Sequence, residues 1–362
     1  MYPFTEGSFA PRNGWYVAAF AHEAKRELLS RWILNEPVVI YRKENGDAVA
    51  LAGRCPHRHF PLGKGCLRGD TIVCGYHGIT FGSDGKCVSI PSQRVVPGVY
   101  RIKEYPLVER GMWLWIWPGD PELADESLLP DLEAMGYDLP DFRFRPFYVL
   151  EVAGRYQLLN DNLSDLTHLA YLHSSSIGTD ANASVPEERE ETDRVLRSRR
   201  VMRAVPIPPM GAGRHGYDGP VDRITGMDFH LPGFHAGYDN MFIPADHPTE
   251  GGKQLLAGRV FHAVTPALLH TTNYFFAGGG RMTDEELDFM NTGLKSVIEE
   301  DVFATVEIET MLTRIGGAPP NELMLKSDMS AVRGRQALQA MMNREKQLTG
   351  TVTRTPPPNR TD

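Results

Sequence analysis

Residues 54–78 read RCPHRHFPLGKGCLRGDTIVCGYHG and contain two cysteine-histidine pairs, Cys55-Pro-His57 and Cys74-Gly-Tyr-His77. Each short loop brings one thiol and one imidazole. Paired thiolates and paired imidazoles suit a two-iron, two-sulfur cluster in which sulfur holds one iron and nitrogen the other, an arrangement that raises its potential above that of an all-cysteine cluster. Such a centre passes single electrons. The glycines of the segment, with Pro56 and Pro61, suit tight ligand loops that need unusual backbone angles. A structural zinc ion would also accept two cysteines and two histidines, but zinc fingers usually gather each residue type in its own short pair. The mixed pairs favour the cluster. The other cysteines, Cys66 and Cys87, are expected to pack as small apolar residues.

Working outward, 362 residues allow two domains, and 41% apolar with 23% charged residues is ordinary for a soluble globular chain. The start MYPFTEGSFAPRNGWYVAAFAHEAK has no basic opening followed by a long apolar run, and no stretch is apolar for long enough to span a bilayer. A cytoplasmic protein with no membrane role is expected, in a compartment where thiols stay reduced. The balance of 38 basic and 46 acidic residues, a net charge of −8, disfavours nucleic acid. Around the ligand loops the balance reverses: Arg54, Arg58, Lys64 and Arg68 face only Asp70, which suits docking of an acidic electron donor.

The first third reads as short strands and turns, with hairpin signals at Asn45-Gly46 and Asp84-Gly85, closing on the aromatic strand MWLWIWPG (112–119). The Pro- and acid-rich stretch after it reads as an interdomain connection. From about residue 131 strands mix with helices, giving an α+β chain: a small antiparallel β domain over 1–130, a second domain over 131–350 and a disordered tail over 351–362. Strands are expected in FRPFYVLEVAG, GGKQLLAGRVFHAVTP and LLHTTNYFFAG. The capping box Thr283-Asp-Glu-Glu286 should start a long helix, and another is expected near 328–347. The polar stretch 174–200 reads as a mobile loop beside a site.

In QLLNDNLSDLTHLAYLHSSS, the polar residues Asn162, Asp165, His168 and His173 interrupt an apolar helical pattern. Asp165 and His168 are expected to share a helix face, and the helix must unwind or end near Tyr171 for both histidines to reach one metal. Two histidines and a distant carboxylate make the facial triad that binds ferrous iron with positions left open. The carboxylate is expected from Glu299-Glu300-Asp301 in the long helix, and spacing alone leaves the three open.

With both motifs in hand, the chain resembles the Rieske non-heme iron oxygenases, within them the oxygenase components of vanillate and dicamba O-demethylases. The resemblance runs from GWYVAAF to the long helix around Asp301. It implies an N-terminal Rieske domain, a C-terminal helix-grip domain and a head-to-tail homotrimer. The family pattern falls on Asn162, Asp165, His168 and His173, and its acidic pair falls on Glu300-Asp301, which selects Asp301 as the third iron ligand. Asp165 then bridges the His77 of one subunit to the His168 of its neighbour. Phe60 and Tyr76 stand where respiratory-chain Rieske proteins carry a disulfide, which points to the oxygenase and ferredoxin branch.

The resemblance implies a 2Fe-2S cluster, mononuclear Fe(II), O2 as co-substrate and electrons from NADH through a separate ferredoxin or flavin reductase. The expected activity is that of a terminal monooxygenase that O-demethylates a methoxylated aromatic compound and releases formaldehyde. The alternatives are N-demethylation, methyl hydroxylation or ring dihydroxylation, and from another class a pure electron carrier. His262 and Asn240 fall at or near family positions that contact the aromatic substrate. A tryptophan that lines the pocket of the dicamba-type enzymes is replaced by Thr292, which implies a differently shaped pocket.

Overall fold

The computed structural model describes residues 9–214, 216–315 and 321–349, so the tail expected to be disordered, 351–362, lies outside the described residues. Two compact units emerge. One comprises Phe9–Leu129 with Thr265–Leu269, the other Pro130–Val264 with the chain from His270 onward.

The first unit holds three small antiparallel sheets. A continuous run of bulky apolar residues, buried on both faces, makes Trp113–Ile116 the centre of one, flanked by Tyr16–Phe20 and Leu107–Arg110. Trp113, Trp115 and Trp117 are all buried. Leu29–Ile33, Glu36–Arg42 and Ala48–Ala52 form the second, and Gly46 takes the left-handed turn angle that its hairpin signal called for. The third carries the ligand loops: Cys66–Arg68, Thr71–Val73, Thr80–Phe81 and Cys87–Ser89. Cys87 is buried as expected, but Cys66 is exposed, because its short strand turns it outward. The acidic stretch after residue 118 is not a free connection as far as Leu129. Asp120 and Asp125 cap two tight turns, and the Trp117 and Trp15 indoles each donate a 2.8 Å bond to their carbonyls.

The second unit is built on a seven-stranded antiparallel sheet in the order Phe142–Val152, Thr271–Arg281, Gln254–Leu268, Phe234–Phe242, Val221–His230, Val195–Val205, Glu188–Glu191. Among the described residues four α-helices accompany it: α1 (Tyr156–Ser164), α2 (Ala181–Ser184), α3 (Asp284–Ile315) and α4 (Met329–Thr349). The capping box forms, Thr283 Oγ1 accepting from Glu286 N at 3.2 Å and Glu286 from Thr283 N at 2.7 Å. Leu287, Leu294, Val297 and Ile298 bury one face of α3, and Asp301, Thr305 and Glu309 continue that buried stripe. No helix among the described residues is long and apolar enough to cross a membrane.

The stretch 174–200 is not a loop. It holds α2, the edge strand Glu188–Glu191 and the start of its partner. The register sets Glu188 against Arg199 and Glu190 against Arg197, so a run too charged to look like sheet is zipped by opposite charges on an exposed hairpin.

Candidate functional site

The two ligand loops of the first unit share one construction. In the first, Cys55 N donates to Phe60 O and His59 N to Cys55 O, both at 2.9 Å; in the second, Cys74 N donates to Ile79 O at 2.8 Å and Gly78 N to Cys74 O at 3.0 Å. The fifth residue of each loop must therefore be left-handed, and it is: Gly78 at φ +71 and, against steric preference, His59 at φ +58. Cys55 and Cys74 are buried in a core with Tyr41, Leu51, Ile72 and Phe81. Burial pushes the Cys55 thiol up, N–H groups of His57 and Arg58 oppose that, and adjacent Cys74 adds to it. His57 and His77 are exposed, their rings 4.5 Å apart. Paired thiols inward and paired imidazoles outward fit a cluster with one sulfur-held and one nitrogen-held iron. Arg54, Arg58, Lys64 and Arg68 are exposed around it, while Asp70 is paired with Arg26 at 2.9 Å.

In the second unit α1 ends at Ser164, earlier than expected, and Asp165 does not share a helix face with His168. Asp165 has extended backbone angles and caps the tight turn Leu166–Ala170, its carboxylate accepting from Thr167 N at 2.9 Å. Its carbonyl accepts from His168 Nδ1, which aims His168 Nε2 at Asp301 Oδ1, 3.5 Å away. After the turn the chain folds back: Gly178 N donates to His173 O at 2.9 Å, and a Cβ at Gly178 would stand 1.7 Å from the Leu169 carbonyl oxygen, so this closure requires glycine.

The acidic run divides by helix phase. Glu299 points to Lys295, Glu300 Oε2 bonds His173 Nδ1 at 2.6 Å, and Asp301 Oδ1 lies 3.0 Å from His173 Nε2. Asn162 Nδ2 donates to the same Asp301 oxygen at 3.0 Å. One donor atom from each of His168, His173 and Asp301 falls within 4.8 Å of the others. Burial would raise the Asp301 carboxyl, but the two histidines outweigh it and hold it well below the usual range. Burial would lower His173, but Asp301 and Glu300 outweigh it and raise it. Two imidazole nitrogens and a carboxylate oxygen on one side, with second nitrogens already bonded, fit a ferrous ion with open positions.

A cavity of about 330 Å³ opens over this triad, lined chiefly by apolar side chains of α3 and the sheet, among them Met227, Val260, Leu294 and Val297. His262 lines it. Its Nδ1 meets the Tyr274 hydroxyl at 2.5 Å, and burial pushes its pKa down to about 4. Asn240 does not reach this site. It stands behind the wall, its amide oxygen accepting at 3.1 Å from Arg259, which does line the cavity. Thr292 is exposed and bonds the Asp288 carbonyl of its own helix.

Sequence reading missed Glu300 as the partner of His173, and it missed Arg223, Thr225 and Asp239 in the cavity wall. Alternation along VDRITGMDFH could have placed Arg223 and Thr225 on one face.

A family model described as the vanillate O-demethylase oxygenase C-terminal domain matches residues 152–344, and the Rieske [2Fe-2S] domain matches residues 14–106. The chain is 32% identical to a vanillate O-demethylase oxygenase subunit of Pseudomonas sp., over 93% of this chain and 96% of that one. It is 45% identical to the iron-sulfur subunit TsaM1 of a toluene-4-sulfonate monooxygenase system of Comamonas testosteroni, but this match spans only 50% of the chain and 52% of the relative. A crystal structure of dicamba monooxygenase bound to 3,6-dichlorosalicylic acid superposes with a TM-score of 0.83 at 29% identity, covering 92% of this chain and 98% of that one.

Proposed function

The chain belongs to the Rieske non-heme iron oxygenases, on the branch of the vanillate O-demethylase oxygenase subunits, and from that membership we propose that it O-demethylates a methoxylated aromatic compound. The observation that carries this reading is the convergence of His168, His173 and Asp301 beneath an apolar cavity in a chain that also carries the two cysteine-histidine loops.

In this reading Cys55, His57, Cys74 and His77 hold the 2Fe-2S cluster, and His168, His173 and Asp301 hold Fe(II). Together these groups supply electron transfer and O2 activation when bound. The balance is methoxyarene, O2, NADH and a proton giving phenol, formaldehyde, water and NAD+, with a separate ferredoxin or flavin reductase delivering the electrons in the cytoplasm. Glu300 and the Asp165 carbonyl orient the two imidazoles by engaging their second nitrogens. Asn162 fixes the Asp301 carboxylate. The apolar wall keeps water from the reacting methyl. His262, neutral at pH 7, accepts a hydrogen bond from the Tyr274 hydroxyl at Nδ1 and offers Nε2–H to the substrate. The proposed assembly is a head-to-tail homotrimer in which the Asp165 carboxylate links the cluster of one subunit to the iron of the next. The exposed arginines and Lys64 steer an acidic donor to the cluster.

Oxygen uptake and formaldehyde release, measured with NADH and a compatible reductase across methoxylated aromatics, test the reading. Formaldehyde equal to oxygen consumed is the expected result; substrate-dependent uptake with no formaldehyde overturns it. A second reading, hydroxylation of an aryl methyl group, draws support from the 45% identity to a toluene-4-sulfonate monooxygenase subunit. It predicts a benzylic alcohol in place of formaldehyde.

A further inference from the structure

Among the polar residues that line the cavity over the triad, one buried group on the sheet is not used by the proposed chemistry. Arg223 and Thr225 stand on the same face of the strand Val221–His230, and both line the cavity. Arg223 is 1% exposed and Thr225 4%. The guanidinium meets both oxygens of Asp239, at 2.9 and 2.7 Å, and donates to the Ile177 carbonyl at 3.0 Å. Its remaining nitrogen, Nη1, has no hydrogen-bond partner, and neither has Thr225 Oγ1. A buried guanidinium N–H and a buried hydroxyl without partners, on two residues that line one cavity, are costly unless a ligand or water completes them.

We propose, resting on the oxygenase reading of the same cavity, that Arg223, Thr225 and Asp239 form a charge-neutral subsite for an uncharged oxygen of the substrate, a phenol or carbonyl, at the far end from the methyl that reacts. Charge balance decides against a carboxylate. The Arg223 charge is already met by a bidentate carboxylate, so a second carboxylate at Nη1 would bury a negative charge for which Arg223 has no net charge left. A neutral oxygen accepts from Nη1 and exchanges a bond with the Thr225 hydroxyl without that penalty.

Register sets the length of the substrate. Thr225 pairs with Asp239, and Asp239 with Gly258, which is four residues from His262 along its strand. At a rise of about 3.3 Å per residue along the strand and about 4.8 Å for each of the two strand spacings across, Thr225 and His262 lie about 16 Å apart, which leaves room between their side chains for roughly two aromatic rings.

The test is calorimetric binding to the full-length holoprotein, oxidised and without electron donor, using three probes: 4-methoxybiphenyl carrying hydrogen, hydroxyl or carboxylate at the 4′ position. The hydroxyl compound is expected to bind about fivefold to tenfold more tightly than the unsubstituted one, and the carboxylate no more tightly than the unsubstituted one. Thr225→Val should erase the hydroxyl preference and Thr225→Ser restore it, while binding of unsubstituted 4-methoxybiphenyl stays constant. Equal binding of the hydroxyl and hydrogen compounds overturns the proposal. So does tightest binding by the carboxylate, which would move recognition to the exposed Arg214 of the same cavity. Adding donor and O2 afterwards separates the two readings: hydroxyl-selective binding without formaldehyde leaves the subsite standing and removes O-demethylation.

Discussion

All four proposed cluster ligands lie within residues 55–77, in two loops that each close through two backbone hydrogen bonds, whereas the triad joins a tight turn, the loop after it and a helix residue 128 positions beyond His173. The first set is defined by the chain near it. The second exists only when α1 and α3 are packed, so its geometry depends on everything that holds those helices. Two centres of similar chemistry should therefore fail in different ways.

The largest expected effect separates them outright. Asp301→Asn keeps an oxygen for Asn162 but removes the charge between His168 and His173. The protein should fall from about three irons per chain to about two and lose turnover by roughly 100-fold or more, with an unchanged cluster absorption spectrum. Cys74→Ser should instead cost both cluster irons and the fold around them, since Cys74 is 2% exposed in the core of its unit. Iron analysis with absorption and circular dichroism reads both. Loss of the cluster in Asp301→Asn would break the comparison.

Next in size is Glu300→Gln, which keeps a hydrogen bond to His173 Nδ1 but removes the carboxylate that polarises the ring. Iron affinity of the triad should weaken about 10-fold to 100-fold while the cluster stays loaded. Chelator competition measures this, and unchanged affinity would reduce Glu300 to a bystander.

The same division governs what could be read from the chain. The cysteine-histidine pairs were legible because their ligands are close in sequence and the loop chemistry is local. The triad histidines were legible as polar interruptions of an apolar pattern, but the break in the helix was misplaced: Asp165, read as a helical residue, is the cap of the next turn. Asp301 needed a family pattern, although helix phase would have served. Leu287 and Leu294 are spaced by seven, Asp301 continues the series, and Glu299 and Glu300 are turned away by 100° per residue. The hairpin at 188–199 was missed because its pairing lies in charges rather than in apolar alternation. Asn240 sits one hydrogen bond back from the cavity wall, behind Arg259, a distinction that sequence position alone does not draw.

Two buried ion pairs test whether the second centre is held from afar. Arg155, at the start of α1, pairs with Glu309 of α3 at 2.6 Å, and Asp161 of α1 with Arg335 of α4 at 2.6 Å. Burial would raise Glu309, but Arg155 and His270 outweigh it and hold it at about 2; for Asp161 burial wins over Arg335 and pushes it to about 6. The signs differ. Glu309 contributes stability above its unfolded value of 4.5 and loses it only as pH falls toward 2. The Asp161 contribution is complete below its unfolded value of 3.8 and is lost as pH rises through about 6. Between pH 4.5 and 7, then, Asp161→Asn should flatten the pH dependence of the melting temperature by an amount equivalent to on the order of 2 kcal/mol. Glu309→Gln should lower the melting curve evenly across that window. Both variants should disturb the triad iron before the cluster, and the reverse order would argue that the two centres share one stability.

The smallest effect is expected where neither centre listens. On the exposed hairpin, Arg199 Nε bonds Glu188 at 2.7 Å across a register pair, with both side chains more than half exposed. Reversing one charge, Glu188→Arg or Arg199→Glu, sets like charges opposite each other and should cost about 0.2–1 kcal/mol; reversing both should restore most of it. Since the pair is solvent-screened, the coupling should shrink as salt rises. Iron content and cluster spectrum should not move in any of the three. A double reversal that fails to recover would mean that the hairpin is held by its backbone ladder, leaving the charges only to keep an exposed sheet edge from pairing with another chain.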